Sequence, residues 1–292
     1  MKTFLLTISI FFLFTTADVF ALDGSVLEKL RELNWETAPG SHIINSIDAS
    51  IATSKEEWLL QGKDARKYML LTEGYDGFKP NALILRVHGP LQDTQVIYTY
   101  HEIGYVKTDD WEKYIDEGSL LKELSQNTAE ANKVRAKGYP SLYVDGWVQK
   151  PYLDRQRATV YWAISAHTSN GNSIVNAKAL KLGRKGFTEI VWMGSADQFT
   201  SAERSLSQVI AEYKYNNGKT YTDYVPGSDT VAAVGVGALA YKIITGKAAV
   251  KTGAGLLALF LIFAKKLWFL IVLPFIFAWK WIKRKFSDRA TP

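Results

Sequence analysis

No cysteine occurs among the 292 residues. That excludes disulfides, thiol nucleophiles and cysteine metal sites, and leaves the redox compartment open. Histidine is scarce, and His42, His88, His101 and His167 stand at no metal-ligand spacing. The chain shows no repeat of fixed period and no low-complexity segment. Acidic residues are nearly missing from its end: from Val231 onward ten Lys and Arg face one acid, Asp288. The residues before Val231 therefore carry net −3 within an overall +6. Basicity of this distribution is a topology signal rather than a nucleic-acid footprint. No nucleic-acid partner is expected.

Apolar runs mark both ends. Lys2, the run Phe4–Phe14, and Val19 with Ala21 at the positions a signal peptidase reads have the layout of a signal peptide cut after Ala21. The run is short for a membrane span, and Asp18 falls where a longer helix would continue. The second run is Gly253–Trp279. Lys265 and Lys266 divide it into stretches of 12 and 13 residues, about 18 and 20 Å as helix, each short of a bilayer core about 30 Å thick. A hairpin turning at these lysines would also leave Lys280, Lys283, Arg284 and Lys285 on the exported side, against the positive-inside bias. As one helix the 27 residues reach about 40 Å and cross the bilayer when tilted by roughly 40°. The two lysines then cost roughly 5–7 kcal/mol, offset by a comparable gain from the Leu, Ile, Phe and Val residues. One crossing with a cytoplasmic C-terminus is the expectation. The alternatives are the hairpin and a three-crossing arrangement that recruits the Gly/Ala-rich stretch 231–245.

The expected organisation is a signal peptide at 1–21, an extracytoplasmic domain at 22–225, and a linker with a Gly/Ala-rich membrane-proximal segment at 226–252. A transmembrane region at 253–281 and a basic cytoplasmic tail at 282–292 complete it. Within the domain, Ser25–Trp35 reads as a capped helix and Ile47–Ile51 as a strand. Ser54 with Glu57 has the spacing of a capping box, which predicts a helix to about Leu71. Ala82–His88 and Gln95–Val106 read as strands. Asp109 or Asp110 opens a helical region to about Lys137, with a break at Gly118 and a stop at Gly138-Tyr139-Pro140. Leu142–Val148, Ala158–Thr168, Ser173–Leu182 and Phe187–Met193 are strand candidates. They are separated by Pro151–Asp154, by Ser169–Asn172 and by Gly183–Gly186, and short connections favour antiparallel neighbours. A helix, Ser201 to about Tyr215, follows. Strands in a run with covering helices give an α+β fold with a largely antiparallel sheet, followed by a helical C-terminal membrane anchor.

Motifs for chemistry are few. Ser119-Leu120-Leu121-Lys122 matches the S-x-x-K pattern in which lysine serves as base to serine, but the partner elements Ser228-Asp229-Thr230 and Lys251-Thr252-Gly253 fall in the linker and at the membrane run. Asn217-Gly218-Lys219-Thr220 resembles the end of a phosphate loop, yet Tyr213 stands where the first glycine belongs. Gly183-Arg184-Lys185-Gly186 is a basic turn whose Arg184 and Lys185 offer an anion site, or a solvated hairpin tip. Trp147, Trp162 and Trp192 fall on three strand candidates, where they either pack a core or line an aromatic groove. No catalytic residue, metal ligand or cofactor site is assigned. An enzymatic cleft would be sought from His88 through His101 to Asp154.

Several segments occur in a telling order: "GYVKTDDW" (Gly104–Trp111), "DGWVQKPYLD" (Asp145–Asp154), "YWAI" (Tyr161–Ile164), "VNAKALKLGRKG" (Val175–Gly186) and "YTDYVPGSDTVAAVGVGALA" (Tyr221–Ala240). Together they resemble the bacterial family called domain of unknown function 2167, over Trp35 to Lys285. The resemblance implies a membrane-anchored envelope protein at the bacterial cytoplasmic membrane, its soluble part outside, and supplies no reaction. The expectation is a binding or assembly module whose partners are the lipid bilayer and another envelope protein. The alternative is an enzyme acting on an envelope substrate. No pattern specifies an oligomeric state.

Overall fold

Period-two alternation in the strands decides the architecture. In Gln95–Glu102, Val96, Tyr98 and Tyr100 pack to one side of the sheet, while Ile97 packs to the other. A strand that buries both sides has to be covered on both. The computed structural model describes residues 24–73, 79–133, 140–199 and 202–247. Its elements in chain order are α1 (Gly24–Arg31), β1 (Gly40–Ile44), β2 (Ala49–Thr53), β3 (Glu57–Gln61), α2 (Gly62–Glu73), β4 (Ala82–Arg86), β5 (Gln95–Glu102), α3 (Trp111–Tyr114), α4 (Glu117–Lys133), β6 (Leu142–Asp154), β7 (Thr159–Thr168), β8 (Ser173–Gly183), β9 (Gly186–Ser195), α5 (Ala202–Glu212), β10 (Tyr213–Tyr215) and α6 (Val236–Thr245).

Seven strands form an antiparallel sheet in the order β3-β4-β5-β9-β8-β7-β6, and β1-β2-β10 form a small antiparallel sheet. The α+β, antiparallel class is thus the observed one. The Ser169–Asn172 and Gly183–Gly186 turns join the hairpins β7–β8 and β8–β9.

One sheet face carries Tyr98, Ile190, Trp192, Ala177 and Ala179 beneath α5, with Leu206 and Val209, and the small sheet, with Ile51 and Tyr213. The other face has two separate covers. Over β3, β4 and β5, Leu60, Leu83 and Ile97 meet Ala65, Tyr68 and Met69 of α2. Over β7 and β8, Val160, Trp162, Leu180 and Leu182 meet Leu120 and Leu124 of α4 and Val236, Leu239, Ala240 and Ile244 of α6.

Several local expectations are corrected. Ser54 and Glu57 make half of a capping box, since the Ser54 N–H donates to Glu57 Oε2 at 2.8 Å. Glu57–Gln61 nevertheless extends as β3, because Leu59 and Leu60 bury on opposite faces. The helix waits for Gly62, whose φ of 51° turns the chain. The strand expected at Ile47–Ile51 starts at Ala49, after a short 3-10 turn. The break in the helical region falls before Gly118, where the Asp116 carboxylate accepts the Ser119 N–H at 2.8 Å and opens α4. Pro151–Asp154 is not a connection. β6 continues through it with register shifts around Gln149 and Tyr152, which accommodate a proline without an N–H on an edge strand. The helix after β9 ends at Glu212, and Tyr213–Tyr215 turn into β10. Of the 226–252 stretch set down as linker and membrane-proximal segment, Val236–Thr245 is a helix packed in the core. The fold therefore runs past residue 225. Contacts divide the chain into Met1–Ala248 and Ala249–Pro292. The expected signal peptide, the stop at Gly138-Tyr139 and the expected anchor lie outside the described residues. Among the described residues no helix is long and apolar enough to cross a membrane.

Candidate functional site

The three tryptophans do not meet. Trp162 and Trp192 are fully buried on opposite faces of the seven-stranded sheet. Trp147 is half-buried at the edge, and its indole N–H donates to the Glu117 carbonyl at 3.1 Å. Arg184 is partly exposed but already paired rather than free for an anion. Its guanidinium grips Asp229 with both arms, at 2.7 and 3.0 Å, and reaches the Gly218 carbonyl at 3.3 Å. Lys185 beside it is exposed. Ser119 and Lys122 are exposed on α4. Lys219 of the phosphate-loop look-alike is spent on Asp48 at 2.6 Å. His88 is exposed beyond the end of β4, whereas His101 lies at the far end of β5 from the β4–β5 turn.

Three of the ordered segments, Gly104–Trp111, Val175–Gly186 and Tyr221–Ala240, serve instead to build a strap. The Tyr105 ring stacks on Tyr221 and Tyr224, with centroids 4.5 and 3.8 Å apart. The Tyr221 hydroxyl donates to the Val106 carbonyl at 2.8 Å. Backbone bonds run from Tyr105 N to Thr230 O and from Val236 N to Lys107 O, both at 2.8 Å. Asp110 then closes the helix end: its carboxylate accepts the Gly237 N–H at 2.8 Å and the Ala238 N–H at 3.2 Å, satisfying donors that the first turn of α6 leaves orphaned. A Cβ on Gly235 would overlap that carboxylate, so glycine is what admits it. Hydrogen bonds from Arg184 hold the Asp229 carboxyl below the usual range, and Asp229 in turn takes the Val225 N–H at 2.8 Å. The residues Tyr221–Asp229, which run into the expected linker, are fixed to the body through Tyr221, Val225 and Asp229.

Between the two helical covers the sheet carries a polar stripe. Lys178 Nζ donates to Glu189 Oε1 at 2.7 Å, and His101 Nε2 stands 3.5 Å from Glu189 Oε2, an ion-pair separation beyond hydrogen-bond geometry. The His101 ring stacks on Phe187 at 4.7 Å. Burial would raise the Glu189 carboxyl, but the charge of Lys178, with His101 adding to it, brings it down to about 2. Glu189 is therefore an anion throughout the neutral range. It can orient a histidine or balance a lysine, and it is no general acid. Sequence reasoning singled out His101 and missed its partners. The signal was there: Lys178 and Glu189 occupy the strand parity that is otherwise filled by Leu180, Leu182 and Val191.

A second buried group lies on the opposite face of the sheet, the one beneath α5. Arg86 Nε donates to Glu57 Oε1 at 2.9 Å, and both side chains are buried. Near them Glu212, which ends α5, is pushed up to about 7 by burial and by the Glu57 charge. Its Oε2 and the Tyr98 hydroxyl are buried and find no hydrogen-bond partner among the described residues. Among the described residues no group of three or more His, Asp or Glu is placed to hold a metal.

The model of DUF2167, described as a protein of unknown function, matches residues 36–276. The chain belongs to this family. No curated protein matches it. Among solved structures, the solution structure of cyanobacterial PsbP (CyanoP) from Synechocystis sp. PCC 6803 is similar at 10% identity with a TM-score of 0.38, covering 62% of this chain and 94% of its own. The DUF2167 segments that matter in this fold are those that pin the strap: Gly104–Trp111, Gly183–Gly186 and Tyr221–Ala240.

Proposed function

We propose that this DUF2167 protein is a membrane-anchored component of the bacterial envelope, a binding or assembly module rather than a free enzyme. Its signal-peptide layout exports the body, and the apolar run 253–279 with its basic end retains it at the cytoplasmic membrane. One structural observation carries the reading. The strap and α6 bring the chain tightly folded to Gly246, so that only Lys247–Thr252 separate the body from that run. A module held this close to a bilayer works on what lies at the membrane surface. Reporter fusions test it: after Lys247, a periplasmic reporter is expected to be active and a cytoplasmic one silent, with the reverse after Pro292. A cytoplasmic signal at Lys247 overturns the reading.

The enzymatic alternative keeps one observation in its favour, the Lys178–Glu189–His101 stripe, in which a part-exposed His101 stands beside a largely buried ion pair on a sheet face. Loss of a phenotype on His101→Ala, with the fold intact by circular dichroism, would move the balance towards it.

A further inference from the structure

We propose that Thr53, His42 and Glu36 form a nucleophile–base–acid relay that reacts with activated carboxylic esters, taking the acyl group onto the Thr53 hydroxyl and passing it to water. The inference goes beyond the anchored-module reading and does not depend on where the chain resides. The relay sits at the small sheet, across the large sheet from the Lys178–Glu189–His101 stripe.

The fold brings the three together from separate segments. β1 and β2 pair with Gly40 opposite Thr53 and His42 opposite Ile51, so His42 and Thr53 share one face of the small sheet. Glu36 arrives from the chain before β1, fixed to β3 by backbone bonds in both directions with Leu59, each at 2.9 Å. His42 Nδ1 then lies 2.8 Å from Glu36 Oε2, and His42 Nε2 lies 2.8 Å from Thr53 Oγ1. Gln61 Nε2 donates to the other carboxylate oxygen, Oε1, at 2.8 Å and holds the acid in place.

The proton positions follow from what each group can do. A carboxylate only accepts, so Nδ1 of the neutral ring carries the proton and Nε2 is an acceptor. Thr53 therefore donates its hydroxyl proton to Nε2. That is the ground state from which a base turns an alcohol into a nucleophile. A threonine that merely braced the ring could equally accept from Nε2, and the carboxylate on Nδ1 removes that option. Thr53 Oγ1 takes part in no other hydrogen bond among the described residues, so a lone pair is left for attack.

Access is from the rim. Thr53 is 8% exposed and the His42 side chain 13%, but Gly40, directly across from Thr53, is exposed, and a Cβ there would meet nothing within 4 Å. That space beside the hydroxyl takes a short acyl group. The Lys55 N–H of the exposed turn that follows makes no bond to a described residue and is left for a developing oxyanion. In the reaction Thr53 Oγ1 bonds to the acyl carbon and its proton passes to His42 Nε2, with Glu36 balancing the imidazolium. His42 gives that proton to the departing alkoxide, which leaves as an alcohol. Water then repeats the sequence, restoring Thr53 and releasing a carboxylic acid.

Purified full-length protein is treated with an alkyl fluorophosphonate, which traps an activated hydroxyl by forming an O–P bond and expelling fluoride. The expected result is one adduct, located on Thr53 by fragmentation of the tryptic peptide Glu32–Lys55, with 4-nitrophenyl acetate competing for the label. Labelling falls away in acid, is slowed roughly a hundredfold by His42→Gln and by Glu36→Gln, and persists in Thr53→Ser, which keeps the hydroxyl. Circular dichroism checks the fold of each variant. Should His42→Gln unfold, Glu36→Gln carries the comparison, since that side chain is 39% exposed. No adduct on folded protein overturns the proposal. So does labelling confined to another residue, or Thr53 labelling unchanged in the folded variants. A failure of the anchored reading in the reporter fusions leaves each of these results as it stands.

Discussion

Two partly buried carboxylates show how opposite environments pull one residue type apart. Glu189 is held down to about 2, where an ordinary glutamate stands near 4.5, so its pairing stabilises the fold above pH ~4.5 and that contribution fades as the pH falls towards 2. Glu189→Gln strands the buried Lys178 ammonium and is expected to cost about 3–5 kcal/mol at pH 7, measured by denaturant unfolding. The double variant Lys178→Met, Glu189→Leu is expected to recover most of that loss. Glu212 runs the other way. Its folded-state value of about 7 lies above 4.5, so the fold is favoured below pH ~4.5 and loses this contribution as the pH rises through 7. Glu212→Gln should melt higher than the parent at pH 8 and show no such decline between pH 5 and 8 in thermal scans. Charged residues at core parity were visible in the sequence of β8 and β9. Their pairing was not, because it depends on β9 lying beside β5 and β8, a fact of tertiary register.

At the scale of elements, hairpins were the readable part. Turn chemistry at Ser169–Asn172 and Gly183–Gly186 acts within a few residues, and both turns form. Signals that need a distant partner misled. The Ser54–Glu57 bond exists, yet burial of Leu59 and Leu60 makes the segment a strand. α6 looked membrane-proximal because Ala, Gly and Val suit close packing in lipid and in protein alike. What decides its place is Asp110, 127 residues away from Gly237. Asp110→Ala is expected to cost about 1–2 kcal/mol and to open the 221–235 strap to limited proteolysis before the sheet unfolds. Gly235→Ala should do the same by displacing the carboxylate. In contrast, Trp192→Ala removes a fully buried side chain from the sheet itself, and a global loss of about 3–5 kcal/mol is expected, with no selective cleavage of the strap.

At the scale of the whole molecule, the fold class was legible because alternation and short connections are local properties. The seam of the large sheet was not. β6 to β9 pair with their sequence neighbours, and so do β3 to β5, but the two sets meet only through β5 and β9. That junction has a consequence for biogenesis. A chain synthesised from its N-terminus presents the β3–β5 ribbon with a bare flank until Gly186–Ser195 arrives, more than eighty positions later. Through that interval an aggregation-prone margin stays uncovered, so a holding chaperone is expected to bind the first half of the chain and to be released once Gly186–Ser195 has paired with it.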